Sequence, residues 1–330
     1  MDGIAPLLET RTDILSPSDY NYSVSFISVV PPVVGTVAES VRSINRIGEE
    51  LGRDFEIILV YPPSNQNLKD KLRPLDHEIT DLIPLLRDFG TFGRGKQIAF
   101  EESTGRYIVP FSSKLIYPIE YADILHGFLK FRTRRLFFSE LPLINRDLII
   151  DVGGWRDLDS GEDVDLYSRI AMNYGVLACP SGLLSSKEQV SSETISLRDS
   201  GEFLERKFSD QFRIIRDTII ACNHSLSDIR ELVKIRRETG HSSKLLTYLI
   251  SYFRSRIYHI RPIMYTRNNL VILMESILES LILKEYNRLS VDEDLVTLRL
   301  DPVILRFLLS RSKLFRDMRS SLEFFLKDQL

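Results

Sequence analysis

Cysteine and tryptophan are scarce in this 330-residue chain, which has two of the first and one of the second, together with only 16 glycines and 14 prolines. Two cysteines, Cys179 and Cys222, cannot form a disulfide framework, so the sequence favours a reducing compartment. The low glycine and proline content excludes a collagen-like or low-complexity chain. The sequence also lacks the basic start and the apolar stretch of a signal peptide, and it contains no run of about 18 apolar residues that could span a membrane. We therefore expect a cytoplasmic protein that does not span a membrane.

Several familiar sites are also missing from the sequence. The five histidines have no paired metal-ligand spacing and the cysteines form no Cys-x-x-Cys, which argues against zinc. No Gly-x-x-x-x-Gly-Lys-Ser/Thr element occurs, and no Gly-x-Gly-x-x-Gly follows the first predicted strand. The chain is therefore predicted to be neither a P-loop nucleotide triphosphatase nor a dinucleotide-binding enzyme.

Charge is distributed unevenly along the chain, whose net charge is −3. Residues 1–224 carry −8 and residues 225–330 carry +5. A basic C-terminal third can attract phosphate or an anionic membrane surface, although a modest excess is more often the solvated exterior of helices. Both interpretations stay open at this stage.

Apolar strand-like segments alternate with helical periodicity through the first 185 residues. The apolar, β-branched segments predict strands at 23–30, 55–60, 82–86, 107–111, 135–139 and 176–179. Between them, helical spacing predicts helices at 36–51, 95–104, 118–129 and 162–174. Such alternation is typical of an α/β fold whose mostly parallel sheet is flanked by helices on both faces.

Beyond about residue 200 only helical periodicity remains. Apolar residues keep i, i+3, i+4, i+7 spacing over 270–282 and again over 303–325. We therefore predict four parts: an N-terminal extension (1–20), the α/β domain (21–185), a Ser-rich linker or mobile loop (186–200) and an all-α C-terminal region (201–330). Segment 244–261 has basic ends around apolar and aromatic residues, so it fits either core packing or an interfacial membrane helix.

Four segments of the α/β part carry a family resemblance. They are the first strand ending at Pro31, the second strand at 56–60, GRGKQIAFEESTGRYIVPF at 93–111, and LINRDLIIDVGGWRDLDSGEDVDLYSRI at 143–170. In this order they resemble a nucleotide-sugar glycosyltransferase of the GT-A fold, in particular glycosyltransferase family 2. The last segment, with Gly-Gly-aromatic before Glu-Asp and a helix, is the most specific. The resemblance implies a nucleotide-diphosphate sugar donor, a glycan or lipid-linked hydroxyl acceptor, and no nucleic-acid partner.

The resemblance also implies roles for individual residues. Asp163 would be the base that deprotonates the acceptor, with Glu162 beside it, although two carboxylates before a helix can equally be capping residues. Arg94 and Lys96 flank Gly95 at a predicted helix start, where basic side chains and backbone N–H groups could cradle the diphosphate. The remaining donor-side candidates are Pro31, Tyr61, Ser112, Ser113 and Lys114. The acceptor-side candidates are Gly154, Trp155 and Asp165; Trp155 could stack on a sugar or simply pack.

Two departures from the family pattern affect the donor site. Tyr61 stands where the family usually has an aspartate that holds the nucleotide base. Ser112-Ser113-Lys114 stands where Asp-x-Asp normally holds Mg²⁺ or Mn²⁺. Two hydroxyls beside an ammonium make a poor site for a hard cation, so no metal ligand is assigned.

Two functions are therefore expected from the sequence. The first is an active glycosyltransferase that works without a metal. The second is a catalytically inactive GT-A-like protein that binds a partner or a glycan, or serves as a scaffold. Contact with the cytoplasmic face of a membrane and homo-oligomer formation stay open for the helical region, because its apolar stripes must be buried against something.

Overall fold

The computed structural model of the protein describes residues 22–31, 36–63, 68, 70, 72–131, 133–181, 183–184, 208–239, 245–258, 267–289, 291, 293–298 and 300–318. The predicted N-terminal extension and the Ser-rich linker lie outside these residues. So do both ends of segment 244–261 and the last part of the helical series at 303–325.

A five-stranded sheet forms the centre of the α/β part. Its strands are β1 (Tyr22–Val29), β2 (Phe55–Tyr61), β3 (Leu82–Leu86), β4 (Gly105–Pro110) and β6 (Ile144–Asn145), in the spatial order β3-β2-β1-β4-β6. The first four strands are parallel, and β6 runs antiparallel to β4. Val24, Phe26, Ile57 and Ile58 are fully buried or nearly so, as expected for parallel strands covered on both faces.

A second pair of parallel strands, β5 (Leu136–Phe138) and β7 (Val176–Ala178), lies beside β6. An isolated bridge between Phe137 and Leu143 connects this pair to the start of β6. The sequence did not predict β6, because two residues are too few to show an alternating pattern.

Six helices of the described α/β part lie between or after these strands along the chain. Those of the α/β part are α1 (Val37–Glu50), α2 (Leu75–Glu78), α3 (Phe92–Glu102), α4 (Tyr121–Phe131), α5 (Arg146–Asp151) and α6 (Glu162–Tyr174). Helix α6 has the predicted bounds, whereas α3 begins three residues earlier than predicted because Thr91, not a later residue, caps it: its hydroxyl accepts from the backbone N–H of Arg94.

Helices dominate the described part of the C-terminal region, which also forms an isolated antiparallel bridge between Val296 and Ser181. Its α-helices are α7 (Phe208–Cys222), α8 (Leu226–Glu238), α9 (Leu245–Ile257), α10 (Asn269–Ile282), α11 (Pro302–Arg311) and α12 (Lys313–Asp317), with 3₁₀ turns at Glu285–Leu289 and Glu293–Leu295. Helix α10 packs on α6 and on β7, where the Ser280 hydroxyl accepts from the N–H of Ala178 at 3.0 Å.

One apolar core joins the two regions. Buried side chains from Val24 in β1 to Phe315 in α12 belong to a single cluster. The predicted fold class, a mostly parallel α/β sheet flanked by helices and followed by an all-α extension, is therefore confirmed. The functional division near residue 200 stays a prediction, because packing does not test it.

Burial of His224 between helices makes stability depend on pH. Its Nδ1 lies 2.7 Å from Asn268 Nδ2, and its ring packs edge-on against Phe307. Burial lowers the pKa of His224 to about 4, and the nearby charge of Arg311 acts in the same direction against that of Asp228. Because the folded pKa lies below the ordinary value, the fold favours neutral His224, and this stability is complete above about pH 6.5 and is lost as pH falls towards 4.

We expect the free energy of unfolding to fall by about 2–3 kcal/mol between pH 6.5 and pH 4 on account of this group. Urea denaturation of the wild type and of His224→Gln at several pH values measures the effect, since the variant should show a shallower pH dependence. His126→Gln, which replaces a partly exposed histidine, is the control. Equal slopes for His224→Gln and the wild type would contradict the prediction.

Candidate active site

The carboxyl ends of β1 and β4 mark the point where the strand order of the sheet reverses. From β1 the chain proceeds to β2 and β3 on one side, and then returns to β4 on the other. Ile27 is paired with Pro110, so Pro31 and Lys114, each four residues further along, follow neighbouring strand ends. Ligands of open α/β sheets bind at such a crevice, so the topology brings two predicted donor-side segments, at Pro31 and at Ser112–Lys114, to the expected position.

A tight turn at residues 112–117 lies at this edge and is held by α1. The hydroxyl of Ser40 donates to the carbonyl of Ser112 at 3.1 Å, and the N–H of Tyr117 donates to the hydroxyl of Ser43 at 3.0 Å. The Tyr117 hydroxyl in turn accepts from the N–H of Ser112 at 2.9 Å. Ser113 is buried, and its hydroxyl has no hydrogen-bond partner in the part of the chain that is described.

The start of α3 is closed to a phosphate, contrary to the sequence expectation. The N–H of Phe92 donates to Asp159 at 3.3 Å, that of Gly93 to the carbonyl of Leu158 at 2.8 Å, and that of Arg94 to the hydroxyl of Thr91. The loop 157–159 therefore uses the N–H groups that would otherwise bind an anion. Gly93 permits this close approach, because a Cβ there would collide with the carbonyl of Arg156.

Lys96 of α3 instead binds two carboxylates at the start of α6. Its Nζ lies 2.8 Å from Glu162 Oε1 and 2.5 Å from Asp163 Oδ2. All three side chains are about 15% exposed. Gly95, the preceding residue, packs against Val29 at the carboxyl end of β1. The predicted base and a predicted donor-side lysine thus form one ion cluster beside the strand end.

Trp155 gives Asp163 a second hydrogen bond. The indole N–H donates to Asp163 Oδ1 at 2.9 Å, while the backbone N–H of Trp155 donates to Gln97 Oε1 at 2.9 Å. The ring is 4% exposed and packs against Phe100, with centroids 6.0 Å apart. Stacking on a sugar is not compatible with this burial, so Trp155 orients the carboxylate rather than contacting an acceptor.

Asp165 is a buried ion-pair residue and not an acceptor contact. Its carboxylate is 2.9 Å from Arg156 and 2.7 Å from Arg169, and the residue has no exposed surface. Arg169 also donates to the carbonyls of Val152 and Gly154. This network holds the Gly-Gly-Trp loop in the position from which Trp155 reaches Asp163.

Gly154 fits the same loop for a conformational reason. Its φ is +72°, in the left-handed region that L-residues disfavour, and a Cβ would collide with the side chain of Gln97. The predicted acceptor-side residue Gly154 is therefore required by the loop itself, and its contact with an acceptor stays a prediction.

The electrostatics of the cluster follow from its burial. Burial disfavours the charged form of Lys96, but the charges of Asp163 and Glu162 outweigh it, so the pKa of the ammonium is raised. Burial also raises the pKa of Glu162, against the opposing charge of Lys96. The pKa of Tyr167 is raised by burial and by the same two carboxylates. Lys96 consequently stays protonated at neutral pH, and the three charged groups carry a formal net charge of −1 when both carboxylates are ionised.

Two predicted donor-side residues lie apart from the cluster. Arg94 is half exposed and its guanidinium is 3.7 Å from Glu101 further along α3. Tyr61 ends β2 with its side chain almost fully buried, which leaves little surface for a nucleotide base. The sequence missed Gln97, Arg156 and Arg169; of these, only Arg169 gave a signal, as the i+4 partner of Asp165 on α6.

The residues present do not fit a divalent cation at the position that the sequence resemblance implies. Ser112, Ser113 and Lys114 offer hydroxyls and an ammonium at the expected place, and Lys96 already neutralises part of the charge of Glu162 and Asp163. Among the described residues, no three His, Cys, Asp or Glu side chains cluster in a way that could hold a metal ion. Among the residues that the structure describes, no helix is long and apolar enough to cross a membrane.

No family model and no curated protein matches the sequence. Solved structures with a similar fold include the TarS 1-349 fragment from S. aureus in complex with UDP-GlcNAc, which is 14% identical over 72% of this chain and 93% of that chain, with a TM-score of 0.42. Another is the mannosyltransferase PcManGT from Pyrobaculum calidifontis in complex with GDP-Man and Mn²⁺, 12% identical over 93% of this chain and 85% of that chain, with a TM-score of 0.41. Similarities this low assign neither a family nor a function, which must be argued from the residues.

Proposed function

We propose that the protein transfers a sugar from a nucleoside-diphosphate sugar to the hydroxyl of a glycan or lipid-linked acceptor without a divalent metal. The observation that supports it most is the cluster of Lys96, Glu162, Asp163 and Trp155 beside the carboxyl end of β1. Two segments that resemble the glycosyltransferase pattern, 66 residues apart, meet there in a partly exposed ion cluster. Capping of α6 alone would not require Lys96 and Trp155 to bind Asp163.

Asp163 is the proposed base. A carboxylate has about four lone-pair positions, and Lys96 and Trp155 occupy two, so an acceptor hydroxyl can still donate to it. In the reaction the acceptor oxygen forms a bond to the anomeric carbon and its proton passes to Asp163. The bond from that carbon to the diphosphate breaks, and the diphosphate leaves with the electron pair. The two donors fix the direction of the carboxylate towards the acceptor.

The proposed diphosphate site is the turn at residues 112–117. The buried hydroxyl of Ser113 would donate a hydrogen bond to a phosphate oxygen, and Lys114 would supply the positive charge that a metal supplies in the glycosyltransferases that the sequence resembles. Ser112 contributes its backbone and hydroxyl to the same turn. Pro31 borders the turn at the end of β1. These positions support a donor pocket in which the diphosphate is bound by the side chains and backbone of the turn at residues 112–117, and not by the N-terminus of α3.

A second function is supported by one feature of the same cluster. Both oxygens of Asp163 already accept hydrogen bonds, and carboxylates are missing at Ser112–Lys114, so the site could bind a nucleotide or glycan without turnover. An inactive binding protein would show nucleotide affinity but no release of nucleoside diphosphate from any sugar donor. The active and inactive forms of the proposal therefore differ in turnover, not in binding.

Calorimetric titration with nucleoside diphosphates tests the donor site and its metal independence. We expect at least one nucleotide to bind with a Kd that changes by less than about twofold between Mn²⁺ and EDTA, because the side chain of Lys114 takes the place of the cation. Lys114→Gln should weaken this binding about tenfold or more, since it removes a charge-assisted contact. Lys313→Gln, which removes an exposed lysine of α12, should leave it unchanged. A tenfold loss in EDTA would show that carboxylates elsewhere hold a metal.

A further inference from the structure

Helix α9 exposes an apolar side of its surface. Leu246, Phe253 and Ile257 are 69%, 64% and 85% exposed, whereas a folded chain normally buries such side chains. At about 100° per residue these three lie within about 40° of one another around the helix axis. They form one continuous apolar stripe, here called the α9 stripe.

The side of α9 that faces the protein carries both small polar and apolar residues: Leu245, Tyr248 and Tyr252 pack against a buried apolar cluster on α7 and α8. Thr247, Ser251 and Ser255 face the protein, and the Ser251 hydroxyl donates to the carbonyl of Phe212 in α7 at 3.4 Å. The helix therefore has apolar residues on two sides: one side packs on α7 and α8 as in an ordinary surface helix, and the other, the α9 stripe, is exposed. Within the described part of the chain, the α9 stripe is exposed and available to a partner.

Two arginines border the α9 stripe. Around the helix, Arg254 lies about 80° to one side of Leu246 and Arg256 about 80° to the other. Both are exposed, and their guanidinium groups lie over the rings of Phe212 and Tyr252, at 5.3 Å and 4.8 Å. Such an arrangement places apolar side chains in the middle and positive charge at both edges.

The sequence around α9 contains no negative charge. From Thr239 to Met274 there is no aspartate or glutamate, while Lys244, Arg254, Arg256, Arg261 and Arg267 are positive. A partner must therefore be both anionic and able to take up apolar side chains. A bilayer surface with anionic lipids has this combination, because acyl chains accept the stripe and headgroups pair with the arginines.

We propose that α9 binds peripherally to an anionic lipid bilayer, lying parallel to its surface with the α9 stripe inserted between headgroups. The helix has 13 residues, too few to span a bilayer, so it lies in the interface. A second copy of the chain fits less well: a two-fold dimer through this face would bring Arg254 and Arg256 close to their own copies, without carboxylates from this segment to pair with them. The inference does not depend on the proposed sugar transfer.

Co-sedimentation of the full chain with vesicles tests the proposal. Vesicles of phosphatidylcholine with phosphatidylserine should bind the protein, and phosphatidylcholine alone should bind it much more weakly. Replacing the stripe by Leu246→Gln, Phe253→Gln and Ile257→Gln together should lower binding to the anionic vesicles at least about a hundredfold, because the inserted apolar area is lost. Arg254→Gln with Arg256→Gln should lower it roughly thirtyfold. High salt should also weaken the binding of the wild-type protein to anionic vesicles, because it screens the arginine charges.

Matched controls replace equally exposed residues elsewhere. Leu283→Gln removes an apolar side chain that is 71% exposed after α10, and Arg306→Gln removes an exposed arginine of α11; both should bind vesicles like the wild type. Absence of vesicle binding by the wild type would overturn the proposal. So would sedimentation velocity that shows a dimer which the triple α9 variant dissociates, since a second copy would then cover the stripe.

Discussion

Replacing Asp163 with asparagine is expected to lower turnover by about 10²- to 10⁴-fold, the usual contribution of a general base. Asparagine keeps the size of the side chain, but its single carbonyl oxygen can accept from only one of Lys96 and Trp155, and it cannot take the proton of the acceptor hydroxyl. Release of nucleoside diphosphate from the bound nucleotide sugar measures the effect. Donor affinity should stay within a few-fold, because the proposed diphosphate site lies at Ser112–Lys114.

The control for this prediction is Glu162→Gln. It also removes one anionic partner of Lys96, but it leaves Asp163 and its bond to Trp155 in place. Its turnover should therefore fall much less than that of Asp163→Asn. Wild-type turnover in Asp163→Asn would exclude it as the base, and loss of thermal stability without loss of turnover would favour the capping role.

Replacing Asp165 with asparagine should destabilise the fold by about 3–5 kcal/mol, because the residue is fully buried in its ion pairs. The change leaves the buried guanidinium of Arg169, and the partly buried one of Arg156, without a balancing charge. Urea denaturation should show a lower midpoint with an unchanged slope. The fluorescence of Trp155, the sole tryptophan of the chain, should also report a looser Gly-Gly-Trp loop before the global transition.

Asp151→Asn is the matched control for the buried pair. Asp151 pairs with Arg134 at 3.0 Å, but both side chains are largely exposed, so the loss should be no more than about 1 kcal/mol. An Asp165→Asn variant as stable as Asp151→Asn would show that the network around Arg169 contributes little. It would also remove the argument that this network positions Trp155.

Most of the α/β architecture could be predicted from the sequence, because the signal is local. Apolar runs such as FEIILVY and the helical spacing of residues 162–174 specify strand and helix without knowledge of their neighbours. The bounds of α6 agree with the prediction, and those of β1, β2 and β7 agree within one residue. Strand β6 was missed because its two residues are defined only by pairing with β4.

The residues of the ion cluster and the contacts between them differ in how far the sequence indicated them. The sequence indicated Lys96, Glu162 and Asp163 as functional residues, but it placed the lysine at a diphosphate and the carboxylates at an acceptor. Their contact spans 66 residues and depends on how α3 packs beside α6. Local patterns contain no information on such a pairing, so the ion cluster and the role of Trp155 came from the structure alone.

The amino-acid sequence by itself determined the alternation of strands and helices, the change to helical periodicity alone in the C-terminal region, and the residue types available for chemistry, because each depends on local spacing or composition. Only the tertiary structure decided which of those groups meet and which surfaces stay uncovered. It closed the start of α3 with loop 157–159, buried Asp165 between two arginines, and left one apolar stripe of α9 exposed. The physical reason is that periodicity defines the sides of a helix, whereas packing against distant elements decides which side is buried.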